Sequence, residues 1–80
     1  MTNREAKAVG AGLWHGIICG EADTERILWN ACLEIINCTG MTASHAALMA
    51  EGAYLGAEEI AKLAKHAHEN SVQRAAGIGF

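Results

Sequence analysis

The chain contains no proline, only four aromatic residues (Trp14, Trp29, Tyr54 and Phe80) and only six cations, Arg4, Lys7, Arg26, Lys62, Lys65 and Arg74. Each shortage excludes something. Without proline nothing obliges a helix to stop, and with abundant alanine the composition favours helix throughout. With few aromatics, the core has to be built from Ala, Leu and Ile. No Lys or Arg occurs between Ile27 and Ala61, and the net charge is -3. A basic patch for nucleic acid or an anionic membrane surface is therefore not expected in the middle of the chain. The three cysteines, Cys19, Cys32 and Cys38, are an odd number with no secretory signal before them, which points to reduced thiols and a cytoplasmic protein. The apolar run Ala8 to Gly20 is 13 residues long and holds His15, too short for the roughly 20 residues that span a membrane.

What is present is apolar and helical. Of 80 residues 51% are hydrophobic, too many for a disordered chain. The densest stretch is Ile27 to Ile36, ILWNACLEII. Its polar residues Asn30 and Glu34 extend to Arg26 and Asn37 as one line at i, i+4 spacing, so the rest of that helix requires cover.

A first helix is expected from about 3 to 19. Thr2 and Glu5 have capping-box spacing at its start, and Gly20 is available to end it. Val9, Leu13, Trp14, Ile17 and Ile18 make a bulky arc, and Ala8, Gly12 and Gly16 a row of small residues suited to close approach of a second helix, with Gly52 and Gly56 as its counterpart. A second helix is expected over about 23–37, with acidic residues at its start, where the helix dipole favours them. After a turn at Gly40, a position for positive φ, Thr42 or Ser44 can cap a third helix over about 43–76, leaving a tail 77–80. Its apolar arc takes in His45, Leu48, Met49, Gly52, Leu55, Gly56, Ile60, Leu63, Ala64 and Ala67. Glu58 with Lys62 and Lys65 with Glu69 fall on the solvated side.

The predicted fold is therefore all-α: one domain over residues 1–80, with two short helices and one long C-terminal one. At 1.5 Å per residue the third helix would span about 50 Å, twice the reach of the other two. A second copy of the chain would then cover its uncovered half, giving a bundle completed by homodimerisation. Its expected dimer core is Leu28, Trp29, Cys32, Ile35, Ile36, Ile60 and Leu63. Eighty residues bury only about 60% of their unfolded surface, which makes such a remedy useful.

Chemistry is harder to find. His15 and Cys19 share a helix face, and Cys32, Cys38 and His45 are possible completions of a metal site, but no CxxC pair occurs. No metal or other cofactor is expected. Cys38 with His45 and Glu34 is the one grouping of nucleophile, base and acid, with no local signature around it, so no enzyme activity is expected. A helix-turn-helix is disfavoured because Met41 to Ala57 carries no Arg, Lys, Asn or Gln to read bases. Trp14, Tyr54, Met49 and Val72 are the expected contact residues for a larger protein partner, with Tyr54 foremost. The chain is expected to be a small, non-enzymatic interaction protein of the regulatory or inhibitory accessory kind found in bacteria and phages. The alternative is a small-molecule or metal-binding helical dimer, with its site in the space left by Gly12, Gly16, Gly52 and Gly56.

Overall fold

The capping box expected at the start of the chain forms in both directions. The Glu5 amide donates to Thr2 Oγ1 at 3.1 Å, and the Thr2 amide donates to Glu5 Oε1 at 2.9 Å. In this computed structural model, which describes residues 1–17 and 23–77, the box opens α1, Asn3–Ile17. Three more helices follow: α2 Thr24–Thr39, α3 Ala43–Gly52 and α4 Ala57–Gly77. Among the described residues there is no strand, and no helix is long and apolar enough to cross a membrane. The expected end of the first helix at Cys19 and Gly20, and the docking of Phe80, lie outside the described residues.

Gly40 ends α2 at φ +66°, its amide donating to the Ile36 carbonyl at 2.8 Å. Thr42 then caps α3, accepting the His45 amide at 3.2 Å. Along α2 the line Arg26, Asn30, Glu34, Asn37 is exposed, while Leu28, Cys32 and Ile36 are fully buried.

The single long third helix is corrected to two. α3 ends at Gly52 in a Schellman motif. The Tyr54 amide donates to the Glu51 carbonyl at 3.0 Å, and the Leu55 amide reaches back to Ala50 at 3.1 Å. Tyr54 occupies the left-handed position at φ +60°. The crossed bonds satisfy the carbonyls at the helix end, and they turn Leu55 inward, where it is buried. α4 then folds back to pack on α3. Instead of one helix of about 50 Å there are two, of about 15 and 32 Å. The length mismatch behind the expected dimer is thereby removed.

The two halves keep their apolar faces. Ala46, Met49 and Ala50 of α3 and Leu63 and Ala67 of α4 meet Leu28, Cys32 and Ile36 in one core. Four residues of the expected dimer core, Leu28, Cys32, Ile36 and Leu63, are thus buried by their own chain, and Trp29, Ile35 and Ile60 pack half-buried at its edge. The i, i+4 pairs Lys62–Glu58 and Lys65–Glu69 form at 3.3 and 4.0 Å on the outer side of α4.

α1 crosses α3, with Lys7 beside Glu51 at 3.6 Å and Trp14 beside Tyr54. Their backbones touch at Gly10 and Gly52. A Cβ on Gly10 would lie 1.8 Å from the Met49 carbonyl oxygen, and one on Gly52 would lie 2.2 Å from that of Lys7. The expected row Ala8, Gly12, Gly16 is exposed, and among the described residues nothing lies within 4 Å of where a Cβ on Gly12 or Gly16 would stand. The close contact belongs to Gly10, which falls within the bulky arc of Val9 and Leu13 that faces the core.

Candidate binding surface at Trp14 and Tyr54

The packing of α1 on α3 brings Trp14, in the last turns of α1, to the turn that follows α3. There the left-handed backbone of Tyr54 turns its side chain outward while the next residue, Leu55, goes in. The two rings meet edge to face, with centroids 5.2 Å apart and planes at 66°. Tyr54 remains 72% exposed, and Trp14 is half-buried against the core. The first turn of α2 closes the other side. Trp14, Glu25, Leu28, Tyr54, Leu55 and Gly56, with Thr24, line an open cleft of about 390 Å³.

Its electrostatics are simple. Glu25 is the only ionisable acid or base in that lining apart from the Tyr54 phenol, and no cation among the described residues pairs with it. The nearest candidate in sequence, Arg26, pairs instead with Asp23 at 3.3 Å. A shallower hollow of about 350 Å³ lies next to it, where Trp29 is flanked by Asp23, Glu25, Arg26, Glu59 and Lys62.

The chain matches no known protein family, curated protein or solved structure. What the surface can do therefore rests on its own geometry.

Of the four expected contact residues, Trp14 and Tyr54 are brought together. Met49 is fully buried in the core and has no surface to offer. Val72 is exposed on α4 beside His68 and Glu69, but the break after Gly52 puts it on a different helix from Tyr54. It lies about 22 Å along α4 from that helix's start, away from the turn that holds Tyr54.

The candidate chemical groupings do not assemble among the described residues. Cys38 sits in the last turn of α2 rather than in a turn, exposed, and no hydrogen bond joins its thiol to His45. His15 is exposed and His45 half-buried, and Cys19 lies outside the described residues. Among the described residues no three His, Cys, Asp or Glu side chains gather as a metal site. Burial pushes the Cys32 thiol up to about 11, which keeps it protonated and unreactive at neutral pH. Among the described residues the four glycines also enclose no common space: Gly52 is filled by the Lys7 carbonyl, and Gly12, Gly16 and Gly56 are exposed.

Two features escaped the sequence. Glu25 reads there as a charge for the α2 dipole, whereas the fold places it in a cleft that it lines together with two aromatic rings. Asn37 reads as part of a solvated line, yet it ties α2 to α4. Its side-chain oxygen lies 2.9 Å from His66 Nε2, and its carbonyl accepts from the Arg74 guanidinium. A cation at that end of α2 also suits the helix dipole.

Proposed function

We propose that the chain is a small, non-enzymatic, cytoplasmic interaction protein that binds a larger protein through the surface centred on Tyr54 and Trp14, in the manner of a regulatory or inhibitory accessory factor. The observation that carries this is Tyr54 itself, an aromatic residue 72% exposed at φ +60°. A residue with a Cβ in the left-handed region costs about 1–2 kcal/mol, and glycine would make the same turn without that cost. The ring contact with Trp14, about 0.5–1.5 kcal/mol, offsets only part of it. Strain held at an exposed aromatic residue is what a binding anchor would require, and Tyr and Trp are the residues that most often anchor interfaces.

A second copy of the chain would dock on the half-buried edge where Leu13, Ala31 and Ile35 surround a shallow hollow. Sedimentation velocity at micromolar concentration decides it, with a single monomer boundary ending the idea. The contact surface is tested by immobilising the full chain and comparing what it retains with what Tyr54→Gly retains. A specific partner lost by Tyr54→Gly and kept by Val72→Ala supports the assignment. Equal retention by wild type and Tyr54→Gly removes it.

A further inference from the structure

The cleft at Trp14 and Tyr54 also carries chemical information about its occupant. Two rings at 66° form adjoining walls of a corner rather than a stacked pair. Glu25 lines the same cleft, has no cationic partner among the described residues, and no Lys or Arg shares the lining. Aromatic faces attract cations through their quadrupole, and an unpaired carboxylate adds a full charge to that attraction. A planar guanidinium stacks best on one flat face, whereas a compact ammonium suits a corner between two inclined ones. Resting on the contact surface proposed above, we infer that this corner receives an alkylammonium group, the side chain of a lysine on the protein partner.

The test uses the whole chain and follows the indole N–H resonances of Trp14 and Trp29 by NMR. It is titrated with tetramethylammonium chloride and with N-acetyl-lysine methylamide, against sodium chloride of equal ionic strength. The neutral controls are tert-butanol and N-acetyl-norleucine methylamide. Both cations should shift Trp14 saturably and leave Trp29 in place, and neither neutral analogue should do so. Glu25→Gln should weaken the cations about threefold. Tyr54→Gly, whose turn glycine can make, should weaken them by a similar factor of about three.

The inference is overturned if neither cation moves Trp14, or if norleucine amide moves it as strongly as lysine amide. It also falls if neither substitution changes the binding. Tetramethylammonium binding without lysine amide binding would reject the lysine assignment. A partner lost by Tyr54→Gly with no cation binding would leave the contact surface standing and remove its cation chemistry. Cation binding with partner capture untouched by Tyr54→Gly would remove the protein-contact proposal, and the partner's lysine with it.

Discussion

Adding one methyl group to Gly10 should destabilise the chain, whereas the same methyl on Gly12 should stabilise it. At Gly10 the new Cβ would stand 1.8 Å from the Met49 carbonyl oxygen and 2.8 Å from the Ala53 nitrogen. Both obstacles are backbone, so no side chain can swing aside. Reaching even the 3.0 Å below which such contacts are essentially never found requires α1 and α3 to part by about 1.2 Å at the crossing. A gap of 0.5–1 Å already forfeits about a quarter to a half of the dispersion attraction between facing atoms. Val9 and Leu13 pack on the core from the same helix, so they lose contact as well. Overpacking of this kind costs about 2–4 kcal/mol, against which alanine returns about 1 kcal/mol of helix propensity. The net loss is about 1–3 kcal/mol from a total of roughly 4–12 for a chain of this length. That lowers Tm by roughly 5–20 °C. Gly12→Ala meets nothing within 4 Å and should gain up to about 1 kcal/mol. Thermal and urea unfolding followed by circular dichroism at 222 nm measure both. If Gly10→Ala proves as stable as Gly12→Ala, the direct backbone crossing of α1 and α3 is wrong.

Four further outcomes follow from the same geometry. Tyr54→Gly should melt within about 1 kcal/mol of wild type, since relief of the left-handed strain opposes loss of the Trp14 contact, while Tyr54→Ala, which keeps the strain, should be about 1 kcal/mol less stable than Tyr54→Gly; equal stabilities would show that residue 54 is not left-handed. Thr42→Ala removes the cap on the His45 amide and should cost about 1 kcal/mol by urea unfolding, with no change meaning that α3 is capped otherwise. Arg74→Met should cost about 0.5–1.5 kcal/mol and speed amide exchange at Gly40, because the α2 end loses its guanidinium donor; unchanged exchange would place Arg74 away from Asn37. In a chain carrying Cys19→Ser, Cys38 should react with a thiol reagent at once and Cys32 only at the rate of opening; because the buried Cys32 thiol is raised to about 11, folded-state stability should fall as pH rises from about 9 to 11, a slope that Cys32→Ala reduces.

How far the sequence could be read depended on whether a feature was local. The Thr2–Glu5 box, the Gly40 turn and the Thr42 cap each involve residues at most four apart, and all three form as expected. The exposed line from Arg26 to Asn37 is likewise a matter of helical period. The break at 53–56 was hidden because its left-handed position is held by tyrosine, where glycine is the usual sign, and because the apolar arcs of α3 and α4 continue one another in phase. Gly52 and Gly56 bracketing a buried Leu55 were the trace left in the sequence. The ties from Asn37 to His66 and Arg74 span 29 and 37 positions, beyond any periodic pattern. The choice between Gly10 and Gly12 depended on which face of α1 meets another helix, and the bulky neighbours Val9 and Leu13 marked that face.

The way the core is filled bears on what the aromatic residues are for. Its fully or nearly buried side chains are alanines, with Leu28, Ile36, Met49, Leu63 and Cys32 as the larger members. Small side chains let helices approach until backbones touch, as α1 and α3 do at Gly10 and Gly52, so the fold is built on close approach rather than on large side chains. None of the aromatic residues among those described enters that interior: Trp14 and Trp29 stand half-buried at its edge and Tyr54 outside it. In a chain this short, burying a tryptophan would add more hydrophobic stabilisation than any alanine in the core. Their position on the rim, two of them meeting over a cleft where Glu25 has no cationic partner among the described residues, fits residues retained for what they touch outside the chain. An aromatic ring at the rim that served only to shield the core could be exchanged for leucine at little cost to binding. Trp14→Leu should therefore preserve the fold and lose the partner, and preservation of both would return Trp14 to a purely structural role.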